Sequence, residues 1–89
     1  MNVQYRQLFL RDLKKLKKTE IYDRIYELAF DILPDVDNLQ DFPNIKAMVG
    51  YPGYYRLRLG DYRVGFALQG DSLEFMRVLH RREFYRYFP

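Results

Sequence analysis

Two Gly-Asp pairs, Gly60-Asp61 and Gly70-Asp71, constrain this chain more than any other feature in it. Each separates runs that alternate between apolar and polar side chains. Tyr55-Arg-Leu-Arg-Leu59 alternates, then Tyr62-Arg-Val-Gly-Phe-Ala-Leu68, and Leu73 to Leu79 forms a third run. A two-residue Gly-containing link between alternating runs is a tight hairpin signal, so residues 55–79 read as a three-stranded antiparallel meander. The turns also set register. Leu59 pairs with Tyr62, Arg58 with Arg63, Leu57 with Val64 and Arg56 with Gly65. Across the second turn, Gln69 pairs with Ser72, Gly65 with Met76, Arg63 with Val78 and Asp61 with His80.

The rest of the chain is placed around this meander. Residues 2–6 alternate and suit a short strand. Phe9, Leu13 and Leu16 recur at helical spacing, with Lys14, Lys15, Lys17 and Lys18 turned to water. Thr19 is a candidate N-cap for a second helix. Tyr22, Ile25, Tyr26, Ala29, Ile32 and Leu33 form that helix's apolar stripe, and Pro34 ends it. Residues 35–53 are rich in Asp, Asn, Gly and Pro and read as a long loop, with a short extended piece near Ile45–Val49. The expected architecture is α+β. An N-terminal strand and a two-helix hairpin pack on a small twisted antiparallel sheet, all within one domain spanning residues 1–89.

Composition narrows the function classes. With 89 residues, no Cys and one His, disulfides and thiolate metal sites are excluded, a structural zinc site is disfavoured, and no cofactor is expected. No apolar run approaches the ~20 residues that span a bilayer. The start of the chain lacks a secretory apolar stretch, so the expected location is the cytoplasm, away from membranes.

Charge is segregated. Residues 1–18 carry a net +5, residues 19–53 a net −5 and residues 54–89 a net +3. The four lysines of the first block lie within Lys14–Lys18, and the last block is basic through arginine alone. Lysine suits diffuse attraction, whereas the guanidinium fork suits bidentate phosphate contact. Lys14, Lys15, Lys17 and Lys18 are therefore candidate steering residues for a phosphodiester chain. Arg82 and Arg86 join them from a tail in which basic and aromatic residues interleave.

Side chains alternate faces along a strand. With the registers above, one face of the meander holds Tyr55, Leu57, Leu59, Tyr62, Val64, Phe66, Leu68, Leu73, Phe75 and Leu79, which is the expected core face. Arg77 is its odd member. The other face holds Arg56, Arg58, Arg63, Gly65, Ala67, Met76, Val78 and His80. Arg58 and Arg63 oppose each other there, and like charges in that position destabilise a sheet. Two readings remain open. Either these arginines fan into water, or they surround an anion-binding hollow floored by Gly65 and Ala67. The tail aromatics Phe84, Tyr85, Tyr87 and Phe88 either close the sheet as a C-terminal helical turn or stack on unpaired bases, with Tyr85 the best candidate for contacting ligand.

At two segments the chain resembles the RelE/ParE superfamily of bacterial and archaeal toxins. Tyr55-Arg-Leu-Arg-Leu-Gly-Asp-Tyr-Arg63 is similar to the family's strand–turn–strand segment, and His80-Arg-Arg-Glu-Phe-Tyr85 to its ending. The resemblance implies a toxin paired with a protein antitoxin, in a toxin–antitoxin hetero-oligomer. In the RelE branch it implies an endoribonuclease that cuts mRNA on the ribosome, in the A site. In the ParE branch it implies a non-nuclease poison of DNA gyrase, which is the alternative. Carried over by position, the implied catalytic set is Arg56, Arg58, Arg63, His80, Arg81 and Tyr85. RelE itself has lysines at the Arg56 and Arg58 positions. Arginine stays protonated and cannot act as a general base, which leaves His80 or Glu83 for proton transfer. The implied reaction is attack of a ribose 2′-OH on the adjacent phosphorus, which needs no metal.

Overall fold

The computed structural model describes residues 2–89. In chain order the elements are β1 (Asn2–Tyr5), α1 (Gln7–Lys14), α2 (Tyr22–Glu27), β2 (Ile45–Ala47), β3 (Tyr54–Leu59), β4 (Tyr62–Gln69), β5 (Ser72–His80) and α3 (Arg81–Tyr87). The five strands form one sheet in the order β1-β5-β4-β3-β2. Strands β2 to β5 pair antiparallel, and β1 joins β5 in parallel, so the sheet is mixed. The α1–α2 hairpin lies in the crossover from β1 back towards the sheet.

Both hairpin turns sit where the Gly-Asp pairs predict. Gly60 and Gly70 adopt φ of 55° and 58°, the positive φ that a primed turn demands of its first central residue. The β3–β4 register is the expected one from Leu59↔Tyr62 to Arg56↔Gly65. The β4–β5 register is as expected only as far as Phe66↔Phe75. There β5 bulges. Gly65 pairs with Arg77 instead of Met76, Arg63 with Leu79 instead of Val78, and Tyr62 with His80. One extra residue on a strand reverses the facing of everything beyond it. Val78 therefore enters the main core, whereas Leu79 packs on the opposite side.

The helices differ from expectation at their ends. Thr19 does not cap α2; its Oγ1 donates to the Leu16 carbonyl at 2.7 Å, within the turn between the helices. Ile21 holds the N-cap position, without a side-chain bond. After α2 the helical path widens into a π turn at Leu28–Ile32 and tightens into a 3-10 turn at Leu33–Asp35. Pro34 lies inside that last turn, and the chain becomes extended at Val36. The long loop is broken by a 3-10 turn at Leu39–Asp41, which buries Leu39, and by β2, within the predicted extended piece.

The main core lies between the helix hairpin and the sheet. Phe9, Ile25, Leu33, Phe66, Leu73 and Phe75 are fully buried in it. The Tyr5 ring stacks between Phe30 at 4.3 Å and Phe75 at 5.3 Å, and its hydroxyl donates to the Ala29 carbonyl at 2.8 Å. Asp12, on the buried side of α1, accepts two bonds from Arg77, at 2.7 and 3.0 Å, and one from the Val78 backbone N–H at 3.1 Å. This lock ties α1 to β5 beside the bulge and holds the Arg77 charge, whose pKa the Asp12 hydrogen bond raises. The tail forms the second layer. Phe84 and Phe88 of α3 and the residue after it are buried with Met76 on the other face of the sheet.

Candidate nucleic-acid interface

The geometry of the basic face follows from the strand pairings. Two pairs of like charges oppose each other directly on it, Lys46 with Arg56 across β2–β3 and Arg58 with Arg63 across β3–β4. Each such pair costs the fold a few tenths of a kcal/mol up to about 1 kcal/mol. Arg63 is held in place by its own hairpin: its Nη1 donates to the carbonyls of Gly60 at 2.7 Å and Tyr62 at 2.9 Å. Burial lowers the pKa of Arg63, and the charges of Arg56, Arg58 and Arg81 lower it further, against an opposing effect of Tyr85. Those causes define which groups surround it. Arg56, Arg58, Arg63, Arg81 and Tyr85 form one cluster.

The β5 bulge selects the members of this cluster. Without it His80 would point to the arginine face and Arg81 to the core face. With it, His80 stands opposite Tyr62, on the core face, with the rings edge-to-face at 5.4 Å. Its Nδ1 accepts from the Arg82 backbone N–H at 3.2 Å, which makes it the N-cap of α3. Placing His80 among the arginines is thus corrected: an imidazole spent on a cap and a tyrosine ring stands away from them. Glu83 lines the same groove as His80, together with Tyr87 and Lys15. Arg81 takes the vacated place. Its backbone N–H donates to the Asp61 carbonyl at 2.7 Å, and its Nε lies 3.6 Å from the exposed Asp61 carboxylate.

The bare floor expected at Gly65 and Ala67 is also corrected. A Cβ at Gly65 would lie 2.8 Å from the Phe88 ring. The missing side chain is the seat of that ring, and Ala67 packs against the same cluster. The small residues hold α3 down instead of leaving a hollow. In doing so they present Tyr85, which is 59% exposed, beside the arginines.

The remaining sequence candidates are scattered. Lys14, Lys15, Lys17 and Lys18 are all exposed, at the end of α1 and in the turn after it, on the side of the helix hairpin. Arg82 is exposed at the start of α3. Arg86 lines a groove of about 610 Å³ shared with Lys46, Arg56, Tyr51 and Tyr85. Lys46 and Tyr51 are additions that sequence reasoning missed. Lys46 is one of two basic residues in an acidic block, which was the available signal. Among the described residues no group of three or more His, Asp or Glu side chains is arranged to hold a metal ion, and no helix is long and apolar enough to cross a membrane.

Comparison with known proteins is consistent across nearly the whole chain. Residues 3–85 match the family described as ParE toxin of type II toxin-antitoxin system, parDE. The chain is 40% identical over 90 residues to Toxin RelE3 of Methanocaldococcus jannaschii, covering 100% of both. It is similar to a chain of the RelB-RelE antitoxin-toxin complex from Methanococcus jannaschii, with TM-score 0.79 and 37% identity, covering 97% of this chain and 99% of that one. It is also similar to a chain of the archaeal RelE-RelB complex from Pyrococcus horikoshii OT3, with TM-score 0.70 and 25% identity over 90% of this chain and 93% of that one.

Proposed function

The chain belongs to the ParE toxin family of type II toxin-antitoxin systems, and we propose that within it this protein is an endoribonuclease of the RelE kind that cleaves mRNA on the ribosome. The observation that carries this reading is the gathering of Arg56, Arg58 and Arg63 on one face of the sheet, with Arg81 and Tyr85 of α3 near enough for their charges to act on Arg63. Like charges gathered at a cost to the fold suit a surface whose stable state holds an anion. The RelE names of its relatives favour a nuclease over a gyrase poison. The RelB chains in the solved complexes support a cognate antitoxin as the protein partner.

The reaction starts with the ribose 2′-oxygen attacking the adjacent phosphorus. A P–O2′ bond forms, the P–O5′ bond breaks, and the 2′-OH proton ends on the departing 5′-oxygen. The products are a 2′,3′-cyclic phosphate and a 5′-OH. Negative charge builds on the nonbridging oxygens, and Arg56, Arg58 and Arg63 stabilise it. Arg63 is already oriented by the Gly60 and Tyr62 carbonyls. Arg81, at the head of α3, neutralises the charge on the leaving oxygen. Tyr85 orients the nucleotide by stacking on its base. His80 is a positioning residue: it caps the helix that carries Arg81 and Tyr85.

Cleavage of a defined message on purified ribosomes tests the assignment. Arg63→Ala should slow product formation about 100- to 1000-fold, the usual loss for one oxyanion-type donor. His80→Asn, which keeps an acceptor for the cap, should stay close to the parent rate. Undiminished cleavage by Arg63→Ala would remove the reading. Intact message together with an SOS response in expressing cells would install the gyrase alternative.

A further inference from the structure

We infer that the groove between α3 and the β2–β3 loop is a binding site for the nucleotide next to the scissile phosphate, and that Tyr51 is the residue that stacks on its base. The inference rests on the ribonuclease reading and extends it by one subsite. The groove is continuous with the arginine cluster, because Arg56 and Tyr85 belong to both. Its volume of about 610 Å³ is within the range of small-molecule sites. Its walls carry the two features that a single-stranded nucleotide needs. Lys46, Arg56 and Arg86 supply positive charge for the backbone, and Tyr51 and Tyr85 supply aromatic faces for a base.

Tyr51 is presented in a way that core packing does not explain. It is 53% exposed, on a loop whose neighbour Val49 is 96% exposed. Its backbone is nevertheless pinned: its N–H donates to the Met48 carbonyl at 3.2 Å, and its carbonyl accepts from the Tyr54 N–H at 3.1 Å. Gly50, at φ 82°, allows the turn that carries it. An exposed aromatic ring on a turn whose backbone is pinned, lining the same basic groove as a second exposed ring, is a stacking platform whose backbone is ordered before the ligand arrives. Lys46 opposing Arg56 adds an unfavourable like-charge pair to the lining of the same groove, which a nucleotide phosphate relieves.

The test uses the full chain and a single-stranded RNA in which the scissile 2′-OH is replaced by hydrogen, so that binding is read without cleavage. Tyr51→Ala should weaken binding about ten- to a hundredfold, and Tyr51→Phe should bind like the parent. An abasic nucleotide at the adjacent position should erase the difference between Tyr51→Ala and parent. On cleavable message, Tyr51→Ala should flatten the preference among cutting positions. Equal binding and unchanged cutting positions for Tyr51→Ala would overturn the subsite. So would an abasic penalty that is the same in both proteins, or no measurable binding by the parent. A parent protein that binds the analogue through Tyr51 but leaves cleavable message intact would instead sink the ribonuclease reading, and with it the subsite's place beside a scissile bond, leaving only a nucleotide-binding groove.

Discussion

At the scale of single residues, the proposed role of the basic face is set against its stability. Arg58 and Arg63 stand side by side across two strands, and the Arg63 guanidinium has its pKa lowered by burial and by its cationic neighbours. Relief of that repulsion should stabilise the free protein. Arg58→Gln removes one charge while keeping a polar side chain on an exposed position. The expected gain is about 0.5 kcal/mol, which for a domain of this size is a rise of roughly 2–4 °C in the unfolding midpoint. The same variant should lose cleavage activity. Thermal unfolding monitored by circular dichroism, set beside a cleavage assay, checks both signs. A lower midpoint would mean that Arg58 contributes packing along its stem that outweighs its charge.

At the scale of elements, the site depends on how α3 is seated. The helix is seven residues long, too short to be stable alone. It is held by Phe84 and Phe88 against Met76, by the close approach of Phe88 to Gly65, and by the His80 cap. Gly65→Ala places a methyl group 2.8 Å from a buried ring that has little room to move. The expected cost is about 1–3 kcal/mol. The helix should also lift, displacing Arg81 and Tyr85, so that cleavage falls although no candidate site residue is changed. Urea unfolding together with the cleavage assay measures the two effects. Wild-type stability in Gly65→Ala would show that Phe88 finds another seat. This link was not legible beforehand. A glycine in an alternating strand reads as an open floor until the tail that covers it is known.

At the scale of the whole molecule, Tyr5 joins the sheet to the helical layer through its ring stack and its bond to Ala29. Burial raises its pKa above the ordinary value of 10.0, with a smaller contribution from Tyr26. A phenol whose folded pKa is raised contributes stability that is fully present below about pH 10 and is lost as pH rises through the folded value. Tyr5→Phe cannot ionise. It should be less stable than the parent by about 1 kcal/mol near neutral pH, through the lost hydrogen bond. The gap should narrow above about pH 10. Denaturant unfolding of both proteins across that range checks the sign; a gap that widens with pH contradicts it.

Local pattern sufficed for much of this protein. The alternating runs and Gly-Asp turns determined the meander, the β3–β4 register and the pairing of Arg58 with Arg63, because a tight turn counts residues symmetrically on either side. Helical spacing determined the buried side of α1 and much of the second stripe, although Tyr26 of that stripe is exposed and Leu28 outside it is buried. Residue chemistry determined that an anion would suit the arginines. Only the tertiary structure decided that β1 lies parallel beside β5, since nothing within four residues encodes a distant partner. Only it decided that Phe88 fills the space above Gly65. It also decided that a bulge at Met76 removes His80 from the basic face and admits Arg81. Alternation has a period of two, so a single unpaired residue inverts every assignment after it. The chain accepts that residue because Val78 then reaches the core and Arg77 reaches Asp12, contacts between parts of the sequence more than sixty residues apart.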